Sequence, residues 1–189
     1  PFTYLAGQFM TLSVTIDGKP IKRAYTIASH PCDRKILEIT IKREDNGLVS
    51  RYMHDVIHQG DFIDLEAASG KLIFSGVAGE GIVLIGGGVG ITPLMSVLRC
   101  LISCGMKNKI YLLYACKSLD EFVYHEELRQ LQVRNPNLKL LVAIDKLEGA
   151  FPGAYEGRLT KEKILEAAPD IADLRVHLCG PPKMMEAIR

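Results

Sequence analysis

Three short stretches carry the residue types that chemistry needs. The densest is Gly86-Gly87-Gly88-Val89-Gly90, followed by Ile91-Thr92-Pro93. It lies between an apolar run, residues 82–85, and a helical repeat. Glycines at a strand-to-helix turn let backbone N–H groups approach a ligand, and a helix start favours a phosphate. A tight turn that needs small residues is the plain alternative. The spacing is not G-x-G-x-x-G, because the third position falls on Ile91 or Pro93. A phosphate loop of the G-K-[ST] kind also fails, since Gly18-Lys19 and Gly70-Lys71 are followed by Pro20 and Leu72. The second stretch, Cys179-Gly180-Pro181-Pro182, sits between a strand pattern and a helix. It reads equally as a site or as an ordinary strand–helix turn. The third, Arg23-Ala24-Tyr25-Thr26, offers a cation, a flat ring and a hydroxyl on one strand, which an exposed strand face would also offer.

Other constellations are weaker. His54 and His58 stand four apart on a helical pattern and could chelate a metal, although a solvated helix face explains them better. His125-Glu126-Glu127 lacks the second histidine of a zinc protease, since position 129 is Arg. The five cysteines, 32, 100, 104, 116 and 179, form no CxxC pair, so neither a zinc nor an iron–sulfur site is expected. Cys100 and Cys104 read as small buried hydrophobes, and unpaired cysteines suit a reducing, cytoplasmic compartment.

The elements that must position these residues change character along the chain. Phe9–Ile16 alternates loosely, Asp17-Gly18 is a hairpin signal, and residues 21–28 form a second strand candidate. Residues 36–43 alternate cleanly between polar and apolar. Residues 48–58 switch to helical spacing, and residues 62–66 return to a short strand. Residues 77–81 are small enough for a linker. Beyond them, strands at 82–85, 110–114, Leu138–Ile144 and Arg175–Cys179 alternate with helices at 93–103, 121–133 and 161–168. Thr92 and Pro93 suit the cap and first position of the helix at 93, and Gly105 suits its end. The pattern predicts two domains: an antiparallel β domain, residues 1–78, and an α/β domain with a doubly wound parallel sheet, residues 79–189. Both ends look cut, so the chain reads as an excised piece of something longer.

Composition fits this plan. The 189 residues are 48% hydrophobic and 24% charged, with a formal net charge of +1. The β part carries nine basic and nine acidic residues and the remainder fourteen and thirteen, so neither is a polycation and nucleic acid is not an expected partner. No apolar stretch is long enough to span a membrane.

R-A-Y-T, G-L-V-S, G-G-G-V-G-I-T-P and C-G-P-P, in this order, resemble the ferredoxin–NADP reductase superfamily, above all the reductase components of oxygenases. The resemblance covers nearly the whole chain. It implies a flavin-binding β-barrel followed by an NAD(P)-binding domain, with FAD favoured over FMN and with NADH or NADPH as the second cofactor. Arg23 would pair with the flavin pyrophosphate, Tyr25 would lie against the isoalloxazine, and Thr26 would hydrogen-bond near flavin N5. Gly47, Val49 and Ser50 would receive the pyrophosphate at a helix start, with Lys42 nearby. Gly86, Gly87, Gly88, Gly90 and Thr92 would bind the pyridine nucleotide. Cys179 and Gly180, followed by Pro181 and Pro182, would line the nicotinamide site, Cys179 by positioning and not as a nucleophile. Tyr25, Thr26 and Cys179 are then the residues nearest the chemistry.

The implied reaction is hydride transfer from NAD(P)H to FAD, then single electrons to an iron–sulfur protein, a ferredoxin-like domain or an oxygenase component. A flavin-binding electron-transfer or regulatory subunit that depends on a partner dehydrogenase is the alternative. After residues 110–114, Lys117 and Ser118 would suit a 2′-phosphate and Asp120 a free ribose hydroxyl. The family's Gly-Pro-x-Gly stretch reads Ala67-Ala68-Ser69-Gly70 here, which puts the local loop shape in doubt.

Overall fold

A computed structural model describes residues 2–33, 35–76, 79–149 and 152–189. The amino-terminal part is a three-stranded antiparallel sheet in the order β2-β1-β3, formed by β1 (Phe9–Ile16), β2 (Lys19–Thr26) and β3 (Asp64–Ser69). Asp17 and Gly18 both have positive φ, 50° and 71°, which is the two-residue turn whose twist matches the flanking strands. β1 points Met10, Leu12 and Val14 inward. Met10, Leu12 and Ile27 form a small core that Leu37, Ile39 and Ile41 cover. α1 (Leu48–Asp55) is the one α-helix of this part among the described residues.

The alternation at residues 36–43 predicts the buried face but not the ladder. Only Ile39 pairs, through an isolated bridge to Ile27. The Ser29 hydroxyl takes the Glu38 amide at 3.1 Å, so a side chain replaces a ladder bond. The strand expected at 62–66 lies further on, at β3, and Phe62 is fully exposed. α1 ends at Asp55, so His58 is not on the helix with His54, and His54 Nε2 instead meets the Ile41 carbonyl at 2.8 Å. The expected linker at 77–81 falls partly outside the described residues.

The second part is a five-stranded parallel sheet in the order β7-β6-β5-β4-β8. Its strands are β4 (Gly81–Gly87), β5 (Lys109–Cys116), β6 (Leu138–Ile144), β7 (Ala154–Glu156) and β8 (Arg175–Cys179). β4 is buried throughout, as a strand covered on both faces must be. α2 (Ile91–Ser103) and α3 (His125–Arg134) cover one face, with Leu94, Met95, Leu98, Leu101 and Leu128 in that core. α4 (Lys161–Ala167) and α5 (Pro182–Ile188) cover the other, through Ile164, Met184 and Ile188. From β4 the chain runs outward through β5 and β6, then returns to place β8 on the opposite side. Such a reversal opens a crevice at the carboxyl ends of the strands.

Three local expectations differ. The cap of α2 is Gly90, not Thr92, because a one-turn 3₁₀ helix at Gly88–Gly90 starts the coil earlier. Pro93 therefore stands third in the helix, still within the turn that has no intrahelical N–H partners. The helix expected from residue 121 begins at His125, because Tyr124 has φ +63° and breaks the run after a separate 3₁₀ turn, Leu119–Glu121. Cys104 is exposed and Cys100 only half-buried, since they lie at the end of α2 beyond its core-facing stripe. No helix among the described residues is long and apolar enough to cross a membrane.

Candidate functional site

β2 ends on Tyr25 and Thr26, and α1 starts just after Gly47. The turn after β4 and the turn after β8 face them. Together they wall one cleft of about 1240 Å³. Arg23, Tyr25, Thr26, Lys42, Gly47, Val49 and Ser50 line it from the β part. Gly87, Gly88, Gly90, Thr92, Cys179, Gly180 and Pro181 line it from the parallel sheet. Two of the expected residues do not line it. Gly86 is buried in β4, where an added Cβ would stand 3.0 Å from Leu94 Cδ1, and Pro182 lies in the exposed first turn of α5.

The β side presents anion-binding groups. The Arg23 guanidinium is exposed, donates to its neighbour's carbonyl, Lys22 O, at 2.8 Å, and meets no carboxylate among the described residues. α1 has no side-chain cap and no acidic residue in its first turn, so the amides of that turn open toward the cleft. The Ser50 hydroxyl is engaged: it donates to Gly47 O at 3.1 Å and accepts from the Glu44 amide at 3.2 Å. It thereby shapes the loop before the helix. Gly47 must stay small, since a Cβ there would fall 2.2 Å from Ser50 Oγ. Burial raises the pKa of the Tyr25 phenol despite the opposing charge of Arg23, so the ring stays neutral.

On the other wall, two turns press together. A Cβ on Gly90 would meet the Cys179 carbonyl oxygen at 2.3 Å, and one on Gly87 would meet Met184 Sδ at 2.3 Å. These glycines are small because the turns touch. Gly88 differs: its φ is +53° and nothing lies within 4 Å of a Cβ, so it is required by backbone conformation and borders the cleft. Thr92 Oγ1 donates to Val89 O at 2.9 Å and pins the glycine turn from inside the helix. Burial alone raises the Cys179 thiol, which keeps it protonated. Cys116, also in the cleft, is pushed up to about 11, by burial first and by Glu121 and Asp145 next.

Sequence reasoning missed several cleft residues. Thr40, Glu121, Asp145 and Arg158 reach it from separate segments, and Lys183 and Met184 reach it from the first turn of α5. Lys42 meets Glu121 across the cleft at 3.5 Å, and Arg158 meets Asp145 at 4.0 Å. Lys117 lines the cleft and Asp120 is not among its lining residues. The two halves are stitched behind the cleft as well. Ser96 Oγ on α2 donates to Ser29 O at 2.7 Å.

Residues 1–74 match the oxidoreductase FAD-binding domain, and residues 84–189 match the oxidoreductase NAD-binding domain. The chain is 32% identical over 190 residues to the glycine betaine monooxygenase reductase subunit of Pseudomonas aeruginosa, covering 100% of this chain and 52% of that one. It therefore spans about half the length of the curated relatives it matches. The FAD/NAD-binding domain of a nitric oxide dioxygenase from Vibrio cholerae superposes with a TM-score of 0.79 at 25% identity, covering 95% of this chain and 87% of that one. A ferredoxin NADP+ reductase from Neisseria gonorrhoeae, solved with FAD and NADP, shares the fold with a TM-score of 0.79 at 22% identity, covering 99% and 78%. With an FAD-binding and an NAD-binding domain in succession around one cleft, the chain belongs to the ferredoxin–NADP reductase-like family of flavin- and pyridine-nucleotide-dependent oxidoreductases.

Proposed function

We propose that this chain is the reductase module of an electron-transfer system: it takes hydride from NADPH or NADH onto FAD and hands electrons singly to an iron–sulfur protein, a ferredoxin-like domain or an oxygenase component. The observation that carries this reading is the convergence of Tyr25–Thr26, the start of α1 and the two glycine turns on one cleft. Its volume exceeds the ~300–1,000 Å³ usual for one small ligand, which suits two. The first domain, residues 1–78, would hold FAD, and the second, residues 79–189, the pyridine nucleotide.

The residues present fit both groups. Arg23, the open amides of α1 and Lys42 suit a pyrophosphate, and the fork of Arg23 offers paired donors to it. Tyr25 would lie against the flavin ring and Thr26 would hydrogen-bond at its edge. Gly88 gives backbone access to the nucleotide, while Gly87, Gly90 and Thr92 hold the turn in shape. Cys179, Gly180 and Pro181 would bound the nicotinamide, with the neutral thiol acting as a packing and positioning surface. When bound, the nicotinamide supplies hydride and the flavin accepts it and releases electrons one at a time. The chain's part is to fix distance and exclude water, so no general base is needed.

Lys117 and Arg158 on the outer rim suit a 2′-phosphate, and Asp145 suits a ribose hydroxyl. The relative from Pseudomonas aeruginosa, a reductase subunit of a monooxygenase, supports an oxygenase component as the electron acceptor. We further place the chain in the cytoplasm. An anaerobic absorbance scan of the FAD-loaded protein, before and after NADH and NADPH, tests the reading. Bleaching of the flavin bands is expected, and the faster nucleotide is the physiological one. Bands that persist with both nucleotides would point instead to a subunit reduced by a partner.

A further inference from the structure

Arg99 does not line the cleft, yet it joins α2 to α3 and to two residues of the β part. It projects from α2, and its side chain is only 16% exposed. Nε and Nη2 grip both carboxylate oxygens of Glu127 on α3, at 2.7 and 2.6 Å. Nη1 crosses to the β part, where it donates to Ala28 O at 2.8 Å and to Glu38 Oε1 at 2.7 Å. The guanidinium also stands 5.2 Å from the ring centre of Tyr124. Burial opposes its charge, but Glu127 and Glu38 outweigh that and hold it firmly cationic.

Two features tie this cluster to the cleft. Tyr124 sits at φ +63°, a left-handed conformation that a non-glycine residue keeps where its surroundings impose it. Its hydroxyl hydrogen-bonds Thr40 Oγ1, and Thr40 lines the cleft beside Lys42. The chain of contacts therefore runs from α2 and α3, through Arg99 and Tyr124, to the β wall of the site. A planar fork with five donors can serve Glu127, Glu38 and a carbonyl together, which a point charge cannot. Without the cation, Glu38 and Glu127 would lose the partner that they share across the domain boundary.

We propose that Arg99 is a positioning residue that locks the nucleotide-binding domain against the flavin-binding domain and so sets the gap across which hydride passes. The proposal rests on the reductase reading for its catalytic consequence. A displacement of about 1 Å at the reacting atoms costs on the order of 100-fold in rate, so a loosened lock is visible in kinetics before it is visible in folding.

The test compares wild type, Arg99→Met and Arg99→Lys, all loaded with FAD, by anaerobic stopped-flow bleaching over a range of NADPH and NADH concentrations. The expected result for Arg99→Met is a limiting rate ~10–100-fold lower per bound flavin, with unchanged half-saturating nucleotide and unchanged flavin content. Arg99→Lys should recover part of the rate, because it neutralises the carboxylates without the fork. A limiting rate per bound flavin within about twofold of wild type in Arg99→Met overturns the proposal, even if thermal stability falls. Should wild type itself not bleach, the reductase reading fails, and the lock is judged separately. For this, spin labels are attached at Lys19→Cys and Val133→Cys in a chain that also carries Cys32→Ser, Cys100→Ser, Cys104→Ser and Cys179→Ser. A broadened distance distribution in Arg99→Met upholds the lock, and an unchanged one overturns it.

Discussion

Glycines in the turn after β4 are small for two different reasons, and substitution separates them. Gly90 has no room: a methyl group would strike the Cys179 carbonyl at 2.3 Å, which is backbone and cannot rotate away. Gly90→Ala should cost about 1–3 kcal/mol or more and pry the two turns apart. Gly88 has room but a left-handed backbone, so Gly88→Ala should cost about 1–2 kcal/mol and leave the turns in contact. Thermal melts of the two variants check the order. Arg23→Ala should weaken FAD binding by about 10–100-fold, the worth of a charged hydrogen bond of about 1.5–3 kcal/mol, while leaving the melting temperature of the flavin-free protein nearly unchanged. Equilibrium dialysis against FAD measures it. At this scale the sequence was informative wherever the site is contiguous. Arg23 to Thr26, Gly47 to Ser50 and the two glycine turns are short runs with a local physical reason to be as they are. Thr40, Asp145 and Arg158 were illegible because each comes from a segment without a pattern of its own, and Lys183 because it lies just past the turn that carries the pattern. Gly86 adjoins the glycine turn in sequence but belongs to the strand interior, where Leu94 fills the space beside it.

At the scale of elements, periodicity located β1 and β6 to the residue, because one has a buried side that sets its alternation and the other an apolar run, and β8 ends where its short run meets the Gly-Pro-Pro turn. It overreached where backbone partners, not side chains, decide the outcome. Residues 36–43 bury the predicted face and yet pair only at Ile39. The helix expected from 121 is delayed by the left-handed Tyr124, a conformation imposed by contacts from Arg99 and Thr40 that are distant in sequence. β8 carries a pH sensitivity of its own. His177 is buried on this strand, its Nδ1 meets no hydrogen-bond partner among the described residues, and Phe74 packs edge-on against it. Burial first and Arg175 second lower its pKa below the ordinary value of 6.5. The folded state therefore resists protonation that the unfolded state accepts. Stability should fall as pH drops below about 6.5, until the folded imidazole is protonated as well. Melting temperatures between pH 5 and 8 should show this decline, and His177→Leu should flatten it. A wild-type melting curve with no decline below neutral pH would contradict the assignment.

The whole molecule is two sheets of different construction closed around one crevice. The parallel sheet opens at the switch between β4 and β8, and the antiparallel sheet offers Tyr25 and Thr26 to that opening. This arrangement was legible in the change from short alternating strands to buried strands separated by helices. The seam was not legible: Arg99 with Glu38 and Glu127, Ser96 with Ser29, and Lys42 with Glu121 are contacts between residues 61 to 79 positions apart or carried by different helices. Nothing local in the sequence marks such pairs. Under the proposed reductase reading the seam matters because both walls must stay in register for a hydride to cross. On the proposed reading, one cleft brings nucleotide and flavin into direct contact. The most direct measurement is anaerobic stopped-flow bleaching of the FAD-loaded chain by saturating NADPH or NADH, with and without deuterium at the transferring nicotinamide carbon. Rapid bleaching is expected, slower when the carbon carries deuterium. Flavin bound in stoichiometric amount and left unbleached by both nucleotides would contradict it.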